Sequence, residues 1–347
     1  QKTAYEITYG DWSSDVCSSD LFGGPECRED VIPFLENVTR GKNVPRERLA
    51  EVAEHYYHFG GASPINQQNR ALIAALSAEL SEHGCRLPIY WGNRNWNPLL
   101  PDAIRQMRDD GVQRALAFVT SAFSSYSGCR QYREDIERAR AEVGAAAPSV
   151  EKLRQFFNHP GFIEAVVERV QEAIASLSQH HTHRTQLVFT AHSIPMAMAN
   201  GCQYAAQLRD ACSLVADRVG GLPWSLAYQS RSGSLTQPWL EPDIGDWLRE
   251  FATSNRGTDV VVIPIGFVSD HVEVLFDLDH EARSIASACG LQMVRAGTVG
   301  THPRFVRMIR ELIRERMDGL PPQSLGVLGP NPNVCSETCC LSGLPTR

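Results

Sequence analysis

Val260-Val261-Val262-Ile263-Pro264-Ile265-Gly266-Phe267-Val268-Ser269-Asp270-His271-Val272-Glu273-Val274-Leu275-Phe276-Asp277-Leu278-Asp279-His280-Glu281 is the stretch on which the fold turns. Its first six residues form an apolar, strand-like run. Read as a helix, the part from Val272 onward sets Glu273, Asp277 and Glu281 at i, i+4 and i+8, so three carboxylates line one face. Val272, Leu275, Phe276 and Leu278 cover the rest and demand burial. A charge run on a solvated helix face would look similar. A row of acids on a greasy helix that starts where a strand ends also suits the handling of cations or protons.

A second stretch repeats this architecture. Leu187-Val188-Phe189-Thr190-Ala191-His192-Ser193-Ile194-Pro195 is another short apolar strand, with an imidazole at its carboxyl end. In open α/β sheets that end is where ligands bind. A lone His there is as well explained by structure as by ligation. Two strand ends, one giving imidazole and one giving carboxylates, favour a site, and the pair suits a borderline divalent metal such as iron. His192 could equally accept protons near neutral pH.

Outward from these stretches, strands and helices alternate. Strands are expected at 88–92, 114–120, 186–190, 224–229, 259–265 and 292–296. Helices are expected at 28–38, 45–59, 67–82, 98–110, 130–142, 160–177, 202–219, 244–251, 272–289 and 303–317. This order predicts an α/β fold with two doubly wound, Rossmann-like domains, parallel sheets and a cleft between them. The pattern breaks around 144–158, so one half is expected over 21–158 and the other over 159–320, with the last helix free to pack back on the first half. A Cys-containing tail follows over 321–347. Gly23-Gly24-Pro25 lacks the spacing of a dinucleotide fingerprint, and there is no phosphate-binding G-K-[ST] loop, so nucleotide use has no support.

The chain has 347 residues, 43% hydrophobic and 21% charged, with a net charge of -7. This is ordinary globular composition. The negative balance and the lack of a Lys/Arg block argue against nucleic acid as a partner. No apolar run approaches the ~20 residues of a membrane helix, so no transmembrane segment is expected. No secretory signal is evident, and a cytoplasmic location is expected. Gln1–Asp20 lacks apolar periodicity, and Val16-Cys17-Ser18-Ser19-Asp20-Leu21 resembles a translated sequencing adapter. Residues 1–20 are therefore read as non-native and not expected to supply a regular central strand. Of ten cysteines, most stand singly. Cys335, Cys339 and Cys340 crowd a Gly/Pro/Ser-rich tail, which suggests metal or cluster ligation once a fourth thiol arrives.

Four motifs together resemble the ferrochelatase family: Phe22-Gly23-Gly24-Pro25-Glu26, Phe59-Gly60-Gly61-Ala62-Ser63-Pro64-Ile65, Thr190-Ala191-His192-Ser193-Ile194-Pro195 and Ser269-Asp270-His271-Val272-Glu273. They stand in the family's order, cover residues 21 to about 320, and look closest to actinobacterial coproporphyrin III ferrochelatases. The resemblance implies a lyase that inserts Fe2+, its substrate, into a porphyrin and releases two protons, in haem biosynthesis. His192 matches the active-site histidine and Glu273 the carboxylate opposite. Asp277 and Glu281 would extend a proton or metal path. Phe22 would pack against the macrocycle, and Ser63 would meet a porphyrin carboxylate, though it could also cap the next helix. Trp224 and Tyr228 are read as core. A [2Fe-2S] cluster held by Cys129, Cys335, Cys339 and Cys340 is implied too, although adjacent thiols such as Cys339 and Cys340 point apart unless the chain turns sharply. The alternatives are a protoporphyrin IX ferrochelatase, a non-catalytic porphyrin or haem carrier, and an iron–sulfur sensor. A downstream haem-pathway enzyme as partner, and a monomeric or homodimeric state, stay open.

Overall fold

The computed structural model describes residues 14–41, 44–177, 185–232, 236–254 and 259–343, with only the backbone of 14–21. Among the described residues, eight strands make two four-stranded sheets. The first contains β1 (Ser14–Leu21), β2 (Ile89–Asn93), β3 (Arg114–Ala117) and β4 (Ser149–Lys152); the second contains β5 (Thr185–His192), β6 (Trp224–Gln229), β7 (Asp259–Ile263) and β8 (Gln292–Arg295). Their orders are β2-β1-β3-β4 and β6-β5-β7-β8, and every pairing is parallel. This is the doubly wound arrangement, twice.

The helices are α1 (Val31–Val38), α2 (Arg46–His58), α3 (Ile65–Glu82), α4 (Leu100–Asp109), α5 (Gln131–Val143), α6 (Pro160–Ala175), α7 (Met196–Ala199), α8 (Tyr204–Arg218), α9 (Ile244–Ala252), α10 (Val272–Val274), α11 (Arg283–Ala288) and α12 (Pro303–Asp318). Of these, α12 shows how local chemistry sets the limits. Pro303 opens it, the His302 ring accepts from the Arg304 N–H, and Gly319 closes it in the left-handed region. Phe305, Met308, Ile309, Leu312 and Ile313 recur at helical spacing and are buried. That stripe meets both α6 and α3, so the last helix joins the two halves. The largest hydrophobic cluster likewise mixes Leu76 and Phe118 from the first half with Leu187 and Phe305 from the second.

β5 and β7 are buried along their length except at His192, as central parallel strands should be. Both lie inside the second sheet, and their carboxyl ends project the two motifs that opened the sequence reading.

Three expectations need correction. Residues 14–21 do form a regular strand, paired on both sides in the centre of the first sheet, with one irregularity between Ser19 and Leu21. A ladder needs only backbone N–H and C=O groups, and Ser14–Leu21 contains no proline to interrupt it. Strand propensity spans only ~1 kcal/mol per residue and yields to a ready slot between two strands. Trp12, Ser13 and the residues before them lie outside the described residues. The supposed break at 144–158 contains β4, which pairs with β3 through Arg114↔Ser149 to Ala117↔Lys152. Finally, the acidic helix is not one α-helix: between α10 and α11 the chain winds as a π-helix over Leu275–Ala282.

Candidate functional site

His192 is the last residue of β5. Its Nδ1 lies 2.5 Å from the Ser193 carbonyl oxygen. A carbonyl can only accept, so Nδ1 carries a proton and the neutral ring keeps its lone pair on Nε2. The His192 carbonyl in turn accepts from the Tyr204 hydroxyl at 3.0 Å. Tyr204 is buried on α8 and fixes the strand end.

The second arm arrives by a close backbone approach. Gly266 donates to the Thr190 carbonyl at 3.1 Å, and a Cβ on Gly266 would fall 2.6 Å from Ala191 Cβ. Only glycine lets the segment after β7 cross so near β5. From there Asp270 is held by Arg295 at 3.0 Å, and the same guanidinium holds Asp279 at 2.9 Å. Arg295 thereby ties the segment just before α10 to Asp279 in the π-wound stretch beyond it. His271 caps it, its Nδ1 accepting from the Val274 N–H at 3.4 Å.

His271 joins the two arms. Burial lowers its basicity, the Glu273 carboxylate opposes this, and the His192 ring and Asp270 act on it as well. Glu273 is exposed and also raises the buried Tyr56 hydroxyl of α2, behind burial itself. Asp277 accepts from Gln229 Nε2 at 3.3 Å and from the Ser230 hydroxyl. Gln229 is the register partner of His192 across β5 and β6, so Asp277 reaches the same sheet edge. Burial pushes its carboxyl up to about 7, with Glu273 and Glu281 adding to the rise and the Ser230 and Gln229 bonds opposing it. Its response to both Glu273 and Glu281 makes the three acids one electrostatic row. In π winding the bonds run from i to i+5, so residues about four to five apart stack and the row survives the change of helix.

Phe22 follows β1 and is 38% exposed. Its ring meets Phe34 edge-on at 6.0 Å, and Phe34 is backed by Tyr56 at 5.8 Å and Trp96 at 6.1 Å. An exposed aromatic on a rigid aromatic base is a surface suited to a flat, apolar ligand. Ser63 is buried beneath the same loop: a Cβ on Gly24 would come within 2.8 Å of its Cβ. Its Oγ accepts from the Ile65 N–H at 3.5 Å, a contact at the start of α3. Tyr228 is buried, and Trp224 meets Phe189 edge-on at 5.9 Å, so both sit in the core.

The thiols converge elsewhere. Cys129 lies in the π-wound turn Tyr126–Arg130 before α5, and bonds Gln155 Oε1 at 3.2 Å. Cys335 and Cys340 both donate toward Cys129, in that order of strength, and hold it well below the usual thiol range; Cys335 and Cys340 each also contact Cys339. The contacts close a ring: 129 to 335 to 339 to 340 and back to 129. Cys339 and Cys340 are neighbours whose Sγ atoms stand 3.4 Å apart. Cys340 takes φ 54°, and this left-handed residue supplies the sharp turn that adjacent thiols need. The thiols border a hollow of ≈ 190 Å³ that Arg130, Arg133, Lys152 and Arg316 also line. Among the described residues, only Glu79, Glu82 and His83 bring three possible ligand atoms within 4.8 Å of one another. The four thiols are therefore spread wider than a single-ion site.

The cap made by His271 carries no sequence signal, because His is not among the usual N-cap residues and Val274 stands where a capping box would place Glu or Gln. Gln229 and Ser230 were passed over, though they end β6 beside His192 and the strand-end rule points to them.

A family model described as Ferrochelatase matches residues 21–317. A ferrochelatase of Rhodopirellula baltica is 58% identical over 92% of this chain and 91% of its own. A coproporphyrin III ferrochelatase of Nocardia farcinica is 52% identical over 93% of this chain and 92% of its own. Among solved structures, SirB from Bacillus subtilis with Fe3+ superposes with TM-score 0.51 at 11% identity, over 73% of this chain and 91% of that one. That likeness is one of fold.

Proposed function

The chain belongs to the ferrochelatase family, and from that premise we propose that it is a lyase inserting Fe2+ into coproporphyrin III in haem biosynthesis. The chemistry is a metal-for-proton exchange. Two pyrrole N–H protons leave the macrocycle, its nitrogens bond the iron, and two protons reach solvent. The observation that carries this reading is the close crossing of the two strand ends, where Gly266 after β7 donates to the Thr190 carbonyl of β5 at 3.1 Å, two residues before His192 and seven before Glu273.

On this reading the macrocycle lies against Phe22, and His192 and Glu273 act at its centre. With Nδ1 tied to Ser193, His192 offers Nε2 as a base or as a ligand to incoming iron. Glu273 holds the metal or takes the second proton. Asp277 titrates near neutrality, so it gains and loses a proton at little cost at working pH. Glu281 carries the row outward. Ser63 at the base of the Phe22 loop would meet a porphyrin carboxylate.

Cys129, Cys335, Cys339 and Cys340 would hold a [2Fe-2S] cluster. The closed ring of thiols, wider than a single-ion site and bordered by cationic side chains, fits the charge and size of such a group. Bound there, it would supply a covalent tie from tail to body and a one-electron redox centre.

Among the described residues no helix is long and apolar enough to cross a membrane, and a cytoplasmic place fits. The partners proposed are porphyrin, ferrous iron and an acceptor of the metallated product. The test is an anaerobic assay with Fe2+ and either coproporphyrin III or protoporphyrin IX, read as loss of porphyrin fluorescence. Faster loss with coproporphyrin III supports the proposal. Loss with protoporphyrin IX alone reassigns the substrate, and no loss with either removes the chelatase reading.

A further inference from the structure

The residues that open α3 hold two loops that come from opposite halves of the chain. Asn66, the second residue of the helix, gives its Nδ2 to the Gly24 carbonyl at 3.0 Å. Just before the helix, the Ser63 N–H bonds the Pro25 carbonyl at 2.8 Å. These bonds fix the loop that carries Phe22. Two residues further on, about 200° around the helix at 3.6 residues per turn, Gln68 reaches the other way. Its Oε1 accepts from the Asp270 N–H at 2.9 Å. A backbone N–H only donates, so the amide oxygen of Gln68, and not its nitrogen, faces Asp270.

Asp270 is thus pinned from both sides. Its N–H goes to Gln68 and its carboxylate to Arg295, which also takes Asp279 in the π-wound stretch. The helix that follows, α10, runs for only three residues before the winding changes. A single turn fixes little by itself, so the direction of α10 follows from what holds the residues before it. Glu273 sits in that turn, and a shift at Asp270 is passed on to it. Gln68 and Asp270 are both half-buried, so water can replace the bond if it is lost, at modest cost to stability. What the bond supplies is geometry.

We propose that Gln68 is a positioning residue for metal insertion, setting the Glu273 segment of the second half against the macrocycle loop of the first. The role rests on the chelatase reading for its purpose. Gln68 acts through Asp270 and touches neither porphyrin nor iron. The seat of the macrocycle and the acid that serves its centre then share one mount, the start of α3, and their spacing is set by a helix instead of by two independent loops. Such spacing matters because a misplacement of ~1 Å at reacting groups can cost ~100-fold in rate.

The test uses the full chain and compares wild type with two variants. Gln68→Met keeps the length and helix propensity of the side chain but has no oxygen to accept the bond, and Gln68→Glu restores an acceptor. Melting confirms that each variant folds, and porphyrin sites are counted by fluorescence-quenching titration. In the insertion assay, kcat per titrated site should fall ~10-fold in Gln68→Met, the reach of a sub-ångström shift, while the KM for porphyrin holds. Gln68→Glu should recover most of that loss. Hydrogen exchange without porphyrin or iron reads the bond directly: the amides of 270–282 should exchange faster in Gln68→Met than in wild type, with those of β5 unchanged. A wild-type kcat per site in Gln68→Met, a loss that appears only as fewer porphyrin sites, or a Gln68→Glu variant as slow as Gln68→Met overturns the role. Unaltered exchange over 270–282 overturns it too. Because exchange needs no turnover, it stands apart from the chelatase reading, which fails only if wild-type protein leaves porphyrin fluorescence unchanged.

Discussion

Replacing Asp277 by Asn isolates the strain stored in the acidic row. The Asp277 carboxyl is moved from its ordinary 3.8 to about 7, chiefly by burial, with Glu273 and Glu281 adding to the rise. The folded protein therefore keeps a proton there between pH ~4 and ~7 that the unfolded chain has lost. Stability changes with pH in proportion to protons bound unfolded minus protons bound folded. For this group the difference is negative across that window, so stability falls as pH rises and levels off above about 7. At ~1.36 kcal/mol per pH unit the ceiling is ~4 kcal/mol. Partial access to solvent brings the expected difference to ~1–3 kcal/mol. Asn keeps the shape and cannot ionise. Urea unfolding of wild type and Asp277→Asn at intervals from pH 5 to 8 should show the variant gaining on the wild type by that amount as pH rises. Parallel curves would refute the argument, because they would mean that Asp277 ionises as freely in the folded protein as in the unfolded chain.

His192→Ala should abolish metallation while porphyrin binding, read by fluorescence quenching, persists; near-normal turnover would remove His192 from the reaction. Gly266→Ala drives a methyl against the Ala191 backbone, and should cost ~1–3 kcal/mol and misplace the cap before Glu273, lowering both the melting temperature and kcat. Cys129→Ser should yield protein without the visible absorption of a [2Fe-2S] centre after anaerobic purification, and iron and sulfide analysis checks it. Removing residues 1–20 deletes most of the strand between β2 and β3 and should lower the melting temperature; an unchanged value would show that the ladder adds no stability.

The two strand ends were legible because central parallel strands are apolar on both faces, and runs such as Val260–Ile263 and Leu187–Ala191 have few other readings. β4 was missed for the opposite reason. Ser149-Val150-Glu151-Lys152 is a short edge strand carrying charge, the composition that protects an edge from pairing with strangers, and it reads as loop. The π winding was illegible because over eight residues the patterns expected of π and α winding differ too little to separate. β1 ran against its composition, since its register comes from neighbours far along the chain. At the site, residue types announced His192 and the acids. The bond from His192 to Ser193, the pairing of Asp277 with Gln229, and the reach of Gln68 on α3 to Asp270 depend on contacts between distant segments, which no local pattern encodes.

The stretch just after α12 serves more than the thiols beyond it. Gln323 donates its N–H to Glu315, and its carbonyl accepts from Arg154, whose buried pair with Glu315 is 2.8 Å long. Asn158 donates to the carbonyls of Leu325 and Gly329, and Asn331 bonds both Gln207 and Ser124. Stripped of these partners, several buried polar groups would each forfeit ~1–3 kcal/mol. The strap from 323 to 331 is thus part of the body, and the cysteines at 335, 339 and 340 lie beyond it. A lineage could shed or remake its thiols by point changes at little cost to folding, but could not discard the strap itself. Thiols and fold are free to evolve at different rates within one short segment of chain.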